Sequence, residues 1–250
     1  MRRIEADSFP ALLGARTVLT EDDRTWIAVA YPNLVSETQR VSGSLAFTAT
    51  YNEQIHRFQI LGDGVDDRVG GRRLAGNFRI SIYARLEGSV SRLPALNVED
   101  VEPIADRHFN QSDNSACLCS PLEEQDFLTP HFEFRPFFEQ LVIPFLYGQI
   151  FYSDEKRWPW FEYGHGAIGL LESYAKMKDP TKARECLTRL PQDIAAWPRI
   201  RQALNNRTEV KGSTRCFCKA ADLIRRCHPV AWYGIRQLKQ DISTQRLVVP

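Results

Sequence analysis

Ser44-Leu45-Ala46-Phe47-Thr48-Ala49-Thr50-Tyr51 alternates large apolar residues with small or polar ones, the pattern of a strand with one face on a core. His56 to Leu61 (HRFQIL) repeats that alternation after a short connection and predicts an antiparallel hairpin. Asn77 to Arg85 (NFRISIYAR) sets Phe78, Ile80 and Ile82 in the same rhythm, which predicts a third strand with one buried face. Between these runs, Gly62 to Gly76 holds five glycines with several Asp and Arg residues and reads as a loop. Beyond Pro121 the period becomes helical. Phe127 to Phe151 is rich in aromatics, with Pro130, Pro136 and Pro144 setting breaks or first turns. The clearest helix runs from about His165 to Lys178, with Ile168, Leu171, Tyr174 and Ala175 on one face, and stops at Asp179-Pro180. Upstream, Phe9 to Leu13 fits a short apolar helix, and the run Trp26 to Val35 carries no decisive period. Strands first and helices afterwards make an α+β chain.

The 250 residues, 43% hydrophobic and 25% charged, match an ordinary globular composition with enough length for one large domain or two modest ones. Thirty-two Lys and Arg nearly cancel 31 Asp and Glu, so the net charge of +1 gives no reason to expect nucleic acid or an acidic membrane as partner. The start, MRRIEADSFP, lacks the apolar core of an export signal, so a cytoplasmic location is expected. Leu141 to Tyr152, the most apolar stretch, is interrupted by Pro144, Gly148 and Gln149 and falls short of the roughly 20 residues that span a bilayer. Six cysteines lie in three places: Cys117 with Cys119, Cys186 alone, and Cys216, Cys218 and Cys227 together. In a reducing compartment the close pairs read as reactive or metal-binding thiols, and Cys186 in its helical stretch as core.

Leu93-Pro94-Ala95-Leu96-Asn97-Val98, then His108-Phe109-Asn110, then Ala116-Cys117-Leu118 together resemble the ubiquitin-conjugating enzymes. That family runs from a meander through a proline-containing extended segment and a His-Pro-Asn motif to a Cys-Leu pair whose thiol accepts the modifier. Here Phe109 replaces the proline, and His108 to Cys117 is one residue shorter than the common spacing. Trp158-Pro159-Trp160-Phe161-Glu162-Tyr163-Gly164-His165-Gly166 is similar to a stretch of bacterial members found beside ubiquitin-like proteins, activating enzymes and deubiquitinase-like peptidases. The marks cover roughly residues 41 to 178. The resemblance implies a four-stranded antiparallel meander with flanking helices over residues 1–180. It implies Cys117 as thioester carrier, Asn110 as oxyanion donor and His108 as a residue that orders the loop. Its partners would be a ubiquitin-like modifier and an activating enzyme, with a deubiquitinase-like peptidase from the same bacterial, antiphage pathway. Thioester chemistry suits a cysteine, whose sulfur both attacks and leaves near neutral pH. Cys119 is the acceptor if the register slips by two. An inactive binding module of the same fold, and a hydrolase using His165 or His131 as base, are the competing readings. The aromatics Trp158, Trp160, Phe161 and Tyr163 read as a packed lid over the following helix, and His165 as a first-turn residue bonding to nearby backbone.

Cys216-Phe217-Cys218 followed by Cys227-His228 offers three thiolates and an imidazole, enough for a closed tetrahedral zinc site. The pattern looks like the short zinc motif at the C-terminus of the SecA translocase, though Lys219 to Arg226 lacks its Gly-Ser-Gly and reads as helical and basic. A helical extension, 181–250, would carry this structural zinc knuckle at about 212–232, and zinc would compensate for a small local core.

Overall fold

The computed structural model describes residues 19–62, 64–85, 91–110, 112–218, 220 and 222–250. The helix expected at Phe9 to Leu13 lies outside them. The chain divides into two compact units: residues 1–118 with 127–159, and residues 119–126 with 160–250.

In the first unit, α1 (Glu21–Ala30) is started by a capping box in which Thr20 Oγ1 accepts from the Asp23 backbone N–H and the Asp23 carboxylate accepts from that of Thr20. It buries Ile27. Five strands follow: β1 (Leu34–Ser36), β2 (Arg40–Asn52), β3 (Arg57–Leu61), β4 (Arg72–Tyr83) and β5 (Ala95–Val98). All pairings are antiparallel, and the main path runs β1-β2-β4-β5. In β2 the alternation holds from Leu45 to Ala49, with Leu45, Phe47, Ala49 and also Tyr51 buried and Ala46 exposed, but it fails at Thr50, which is fully buried as well.

The meander needs a correction. The hairpin of β2 and β3 forms, with Thr48 opposite Leu61, but β4 pairs along almost all of β2, Arg40 opposite Tyr83 through Tyr51 opposite Arg72. With β4 filling one edge of β2, the short β1 and β3 share the other. The four strands on the main path therefore follow one another in chain order, and β3 is an additional strand folded out of the β2–β4 connection. The glycine-rich loop is also shorter than expected, because β4 starts at Arg72. Gly76 is a sheet residue: a Cβ there would stand 2.7 Å from Ile150 Cδ1 and 2.9 Å from Phe47 Cε1, so its bare Cα lets a helix approach the sheet.

That helix is α4 (Ile143–Glu155), which continues α3 (Phe134–Phe137) through a π turn at Phe138–Val142. The turn sits where the Pro144 ring displaces the carbonyl four residues earlier. Ile143, Phe145, Leu146, Tyr147 and Phe151 are buried on α4, each contributing about 1.5–3 kcal/mol before conformational entropy is set against it. Tyr147 meets Phe58 edge-on at 5.3 Å and donates to the Arg72 carbonyl at 2.6 Å.

The second unit contains most of α2 (Pro121–Leu128), then α5 (Gly166–Met177), α6 (Ala183–Arg189), α7 (Trp197–Asn205), α8 (Ile224–Cys227) and α9 (Pro229–Gln245). One cluster of Leu171, Tyr174, Cys186, Ile200, Ile224 and Leu238 forms its core. Cys186 is buried there as expected, and burial pushes its thiol far up. The boundary falls at 159/160 rather than at 180, because α5 packs on α9 so closely that a Cβ at Gly234 would penetrate the Leu171 carbonyl oxygen. His165 precedes α5 without capping it, and Asp193 instead accepts from the Ala167 N–H at 3.0 Å. The aromatic lid divides as well. Trp158 is buried in the first unit, whereas Phe161 and Tyr163 belong to the second, with the Lys176 ammonium 4.5 Å above the Phe161 ring. No helix among the described residues is long and apolar enough to cross a membrane.

Candidate functional site

The segment after β5 holds the sequence-predicted residues of the first site. A 3-10 turn, Ala105–Arg107, ends at His108 in the left-handed conformation (φ 56°). The chain then folds back on itself: Phe109 and Ala116 form an antiparallel bridge, the Asn110 N–H donates to the Ser115 carbonyl at 2.8 Å, and the Cys117 N–H donates to the His108 carbonyl at 2.7 Å. The Ala116 N–H reaches the Leu96 carbonyl at 2.8 Å, which fastens the loop to β5. His108, Asn110 and Cys117 are thus brought into one loop, with Cys117 exposed at its end.

The His108 ring packs edge-on against Trp158 at 4.6 Å, and Trp158 Nε1 donates to the Asp106 carbonyl at 3.3 Å. From α4, Gln149 Nε2 donates to the Arg107 carbonyl at 2.8 Å. Phe109, in the place of the family's proline, is buried and meets Phe145 edge-on at 5.4 Å. His131 is exposed and stands 3.3 Å from Glu133.

Sequence reasoning missed the clamp inside the loop. Asp113 Oδ1 accepts from the Ser115 N–H at 3.1 Å and from Ser115 Oγ at 2.7 Å, and the Arg85 guanidinium spans Asp113 Oδ2 at 2.6 Å and Ser115 Oγ at 2.8 Å. Asn110 Nδ2 donates to the same Ser115 Oγ at 3.0 Å. The Asp-x-Ser spacing was a local signal for this turn. Arg85 gave none, being far away along the chain. Burial raises the Asp113 carboxyl, but the Ser115 hydrogen bonds and Arg85 outweigh it and hold the group below its usual range. A depressed carboxyl contributes above its unfolded pKa and loses that contribution as pH falls through the folded one, so the clamp weakens only in acid. We expect Arg85→Met to loosen the loop by about 1–2 kcal/mol, a figure discounted for the partly exposed Asp113. Hydrogen exchange at the Cys117 amide should then quicken roughly five- to thirtyfold. Unchanged exchange would show that the clamp does not hold the loop.

The next residues pass to the second unit. Ser120 and Glu123 make a capping box at α2, Ser120 N–H to Glu123 Oε2 at 2.9 Å and Glu123 N–H to Ser120 Oγ at 3.3 Å, with Ser120 Oγ 2.5 Å from Ser173 Oγ on α5. Cys119 is half-buried immediately before this anchor.

The second candidate is a side-chain cluster. One donor atom each from Cys216, Cys218, Cys227 and His228 lies within 4.8 Å of the others. Cys216 Sγ stands 3.2 Å from His228 Nδ1, and Cys218 Sγ 3.5 Å from Cys227 Sγ. A tetrahedral cation with donors about 2.3 Å away would set them about 3.8 Å apart, so the four fit a metal ion with little movement. The backbone supplies this proximity. A short antiparallel pairing, Arg215 with Leu223 and the Cys216 N–H to the Asp222 carbonyl at 2.9 Å, brings the first two thiols beside α8, at whose end Cys227 and His228 stand. Among the described residues of the stretch 219–226 expected to be helical, only those of α8 are so. Nor is the knuckle a small isolated body: Cys216, Phe217 and Ile224 belong to the main core of the unit.

Burial raises the Cys216 thiol and pushes Cys227 up to about 12, with neighbouring thiols adding to the effect at Cys227. At Cys218 burial also raises the thiol, but hydrogen bonds from Cys216, the Ala220 backbone and Cys227 outweigh it and hold the group below its ordinary value. Three crowded thiols resist losing all their protons, and a divalent cation reverses that balance.

Comparison with known protein families, curated proteins and solved structures finds no match to this chain. Both candidate sites therefore rest on motif and geometry.

Proposed function

We propose that the chain is a ubiquitin-conjugating-like carrier that accepts a ubiquitin-like modifier on Cys117. The observation that carries this reading is the exposed Cys117 at the end of a clamped loop that also holds His108 and Asn110, following a helix and a five-stranded antiparallel sheet whose main path β1-β2-β4-β5 runs in chain order. In the reaction, the Cys117 thiolate attacks the thioester carbonyl of the modifier on its activating enzyme. A new C–S bond forms and the activating enzyme's thiolate leaves. An acceptor amine then attacks the new thioester, the C–N bond forms, the amine proton passes to solvent and the Cys117 thiolate departs. Asn110 donates one amide hydrogen to Ser115 Oγ and has a second for the oxyanion, while Arg85, Asp113 and Ser115 position it. A bacterial, antiphage pathway with an activating enzyme and a deubiquitinase-like peptidase belongs to the same proposal. Zinc is the metal we assign to Cys216, Cys218, Cys227 and His228. Four closed ligands leave no open position, so its role is structural.

The experiment is intact mass, without and with reductant, after incubation with the modifier, its activating enzyme and ATP. A reductant-labile adduct that disappears in Cys117→Ala and persists in Cys119→Ala is expected. No adduct on wild type, with an active activating enzyme, would instead favour a non-catalytic binding module, a reading supported by Phe109 serving as a core residue.

A further inference from the structure

The near-zero charge of the chain conceals a strongly uneven distribution. Residues 197–228 contain eight Lys and Arg but only Glu209 and Asp222 as acids, while the rest of the chain carries 24 basic against 29 acidic residues. Several cations elsewhere find carboxylates within reach: Arg72 pairs with Asp154 and Glu155, Arg157 with Glu53, Lys182 with Asp126, while others such as Arg40, Arg57 and Arg184 make no ion pair among the described residues. In 197–228 no described cation makes one. Arg201, Arg207, Lys211, Arg215, Arg225 and Arg226 are exposed, and none makes an ion pair among the described residues. The acid Glu209 is taken by Arg236 at 2.7 Å. A divalent ion on three thiolates would subtract one charge and leave the segment strongly basic.

The fold gathers several of these cations around the metal-binding hairpin. Arg199 reaches the carbonyls of Arg215 at 3.0 Å and Cys216 at 2.8 Å, with its guanidinium 5.7 Å above the Phe217 ring. On the other side, the Arg225 N–H donates to the Gly212 carbonyl at 3.3 Å, which sets Arg225 beside Lys211. Trp232 closes on the same turn through Nε1 to the Val210 carbonyl at 2.8 Å, and its neighbour Tyr233, 5.1 Å away ring to ring, is 57% exposed.

From this we infer that the basic face around the Cys216–His228 hairpin binds the phosphate backbone of a single-stranded nucleic acid, with Tyr233 as a stacking platform for a base. Guanidinium groups meet phosphate oxygens through paired N–H donors, and an exposed ring beside a cationic track is how sequence-tolerant single-strand binders are built. An acidic protein partner would need an apolar centre to its interface, and among the described residues of 197–228 no large hydrophobic side chain is exposed, the single ring of Tyr233 beside them being too little to supply one. The inference stands apart from the chemistry proposed for Cys117.

The test is fluorescence anisotropy of a labelled 20-nucleotide single strand with the full, metal-loaded chain between 50 and 200 mM KCl. Seven neutralised phosphates correspond to a slope of log affinity on log salt of about −5, so a slope of about −3 to −5 is expected. Lys211→Glu, which lies beside Arg225 at the hairpin and is not a metal ligand, should weaken binding roughly five- to tenfold and flatten the slope by about 0.7. Tyr233→Ala should weaken it roughly tenfold. Arg225→Gln with Arg226→Gln repeats the charge test beside the ligands, its metal content measured in parallel. If that pair loses metal, Lys211→Glu decides alone. The inference is overturned by no saturable binding at 50 mM KCl, by charge variants that bind like wild type, by tighter binding of duplex, or by displacement of the oligonucleotide by polyglutamate of equal charge.

Discussion

Stripping the metal from the loaded protein with a strong chelator is expected to lower its melting temperature by roughly 20 °C. With free metal a thousandfold above Kd, ion bound only to the folded state stabilises it by about 4 kcal/mol. In a unit of about 100 residues, each kcal/mol moves the midpoint by about 4–8 °C. The geometry explains why the loss does not stay local: Cys216 is fully buried, and Phe217 and Ile224 on either side of the ligands are core residues shared with α5, α7 and α9. Unlike a free-standing zinc finger, the unit retains an apolar cluster and should become loose rather than fully unfolded. Cys216→Ser combined with Cys227→Ser should reproduce the chelated melting curve without chelator. Elemental analysis showing no bound metal in freshly prepared protein, or identical melting with and without chelator, would remove the metal site.

The second large effect is a change of sign. Replacing glycine by alanine inside a helix ordinarily gains about 1 kcal/mol. At Gly234, in the middle of α9, we expect Gly234→Ala to cost about 3 kcal/mol, because the new methyl enters the Leu171 carbonyl oxygen and the two helices must part. Gly62→Ala is the matched control: its methyl would stand at an ordinary 3.6 Å from Val65 Cγ2, and stability should change by no more than about 1 kcal/mol. Chemical denaturation of both variants decides the matter. A neutral Gly234→Ala would mean that α5 and α9 do not pack through that glycine.

Where the sequence was legible, a local period carried the information. Leu45, Phe47, Ala49 and Tyr51 revealed their strand because each faces the core. The period also revealed α5 as a helix but not its burial: the expected single apolar face gives way to a stretch buried all round from Ala167 to Tyr174, Glu172 and Ser173 included. The pairing of β4 was not legible, since nothing in NFRISIYAR states which neighbour it takes. The beginning of β4 was hidden by chemistry: Arg72 and Arg73 look like loop residues and Gly76 like a turn, yet Gly76 is small to admit Ile150. The four metal-ligand candidates could be read from spacing alone, because a hairpin and one helical turn suffice to gather them. The Arg85 clamp could not, because its partners lie 28 and 30 residues further along the chain.

The chain passes from one unit to the other three times, after Leu118, after Asp126 and after Pro159. No single cut therefore releases either part whole. A fragment ending at Pro159 would retain Cys119 to Asp126 and leave Leu122, fully buried in the second core, without its partners. Protein engineers who graft domains at one junction would find none here. The thiol loop and the metal-binding unit cannot be parted by cutting the chain at any one junction.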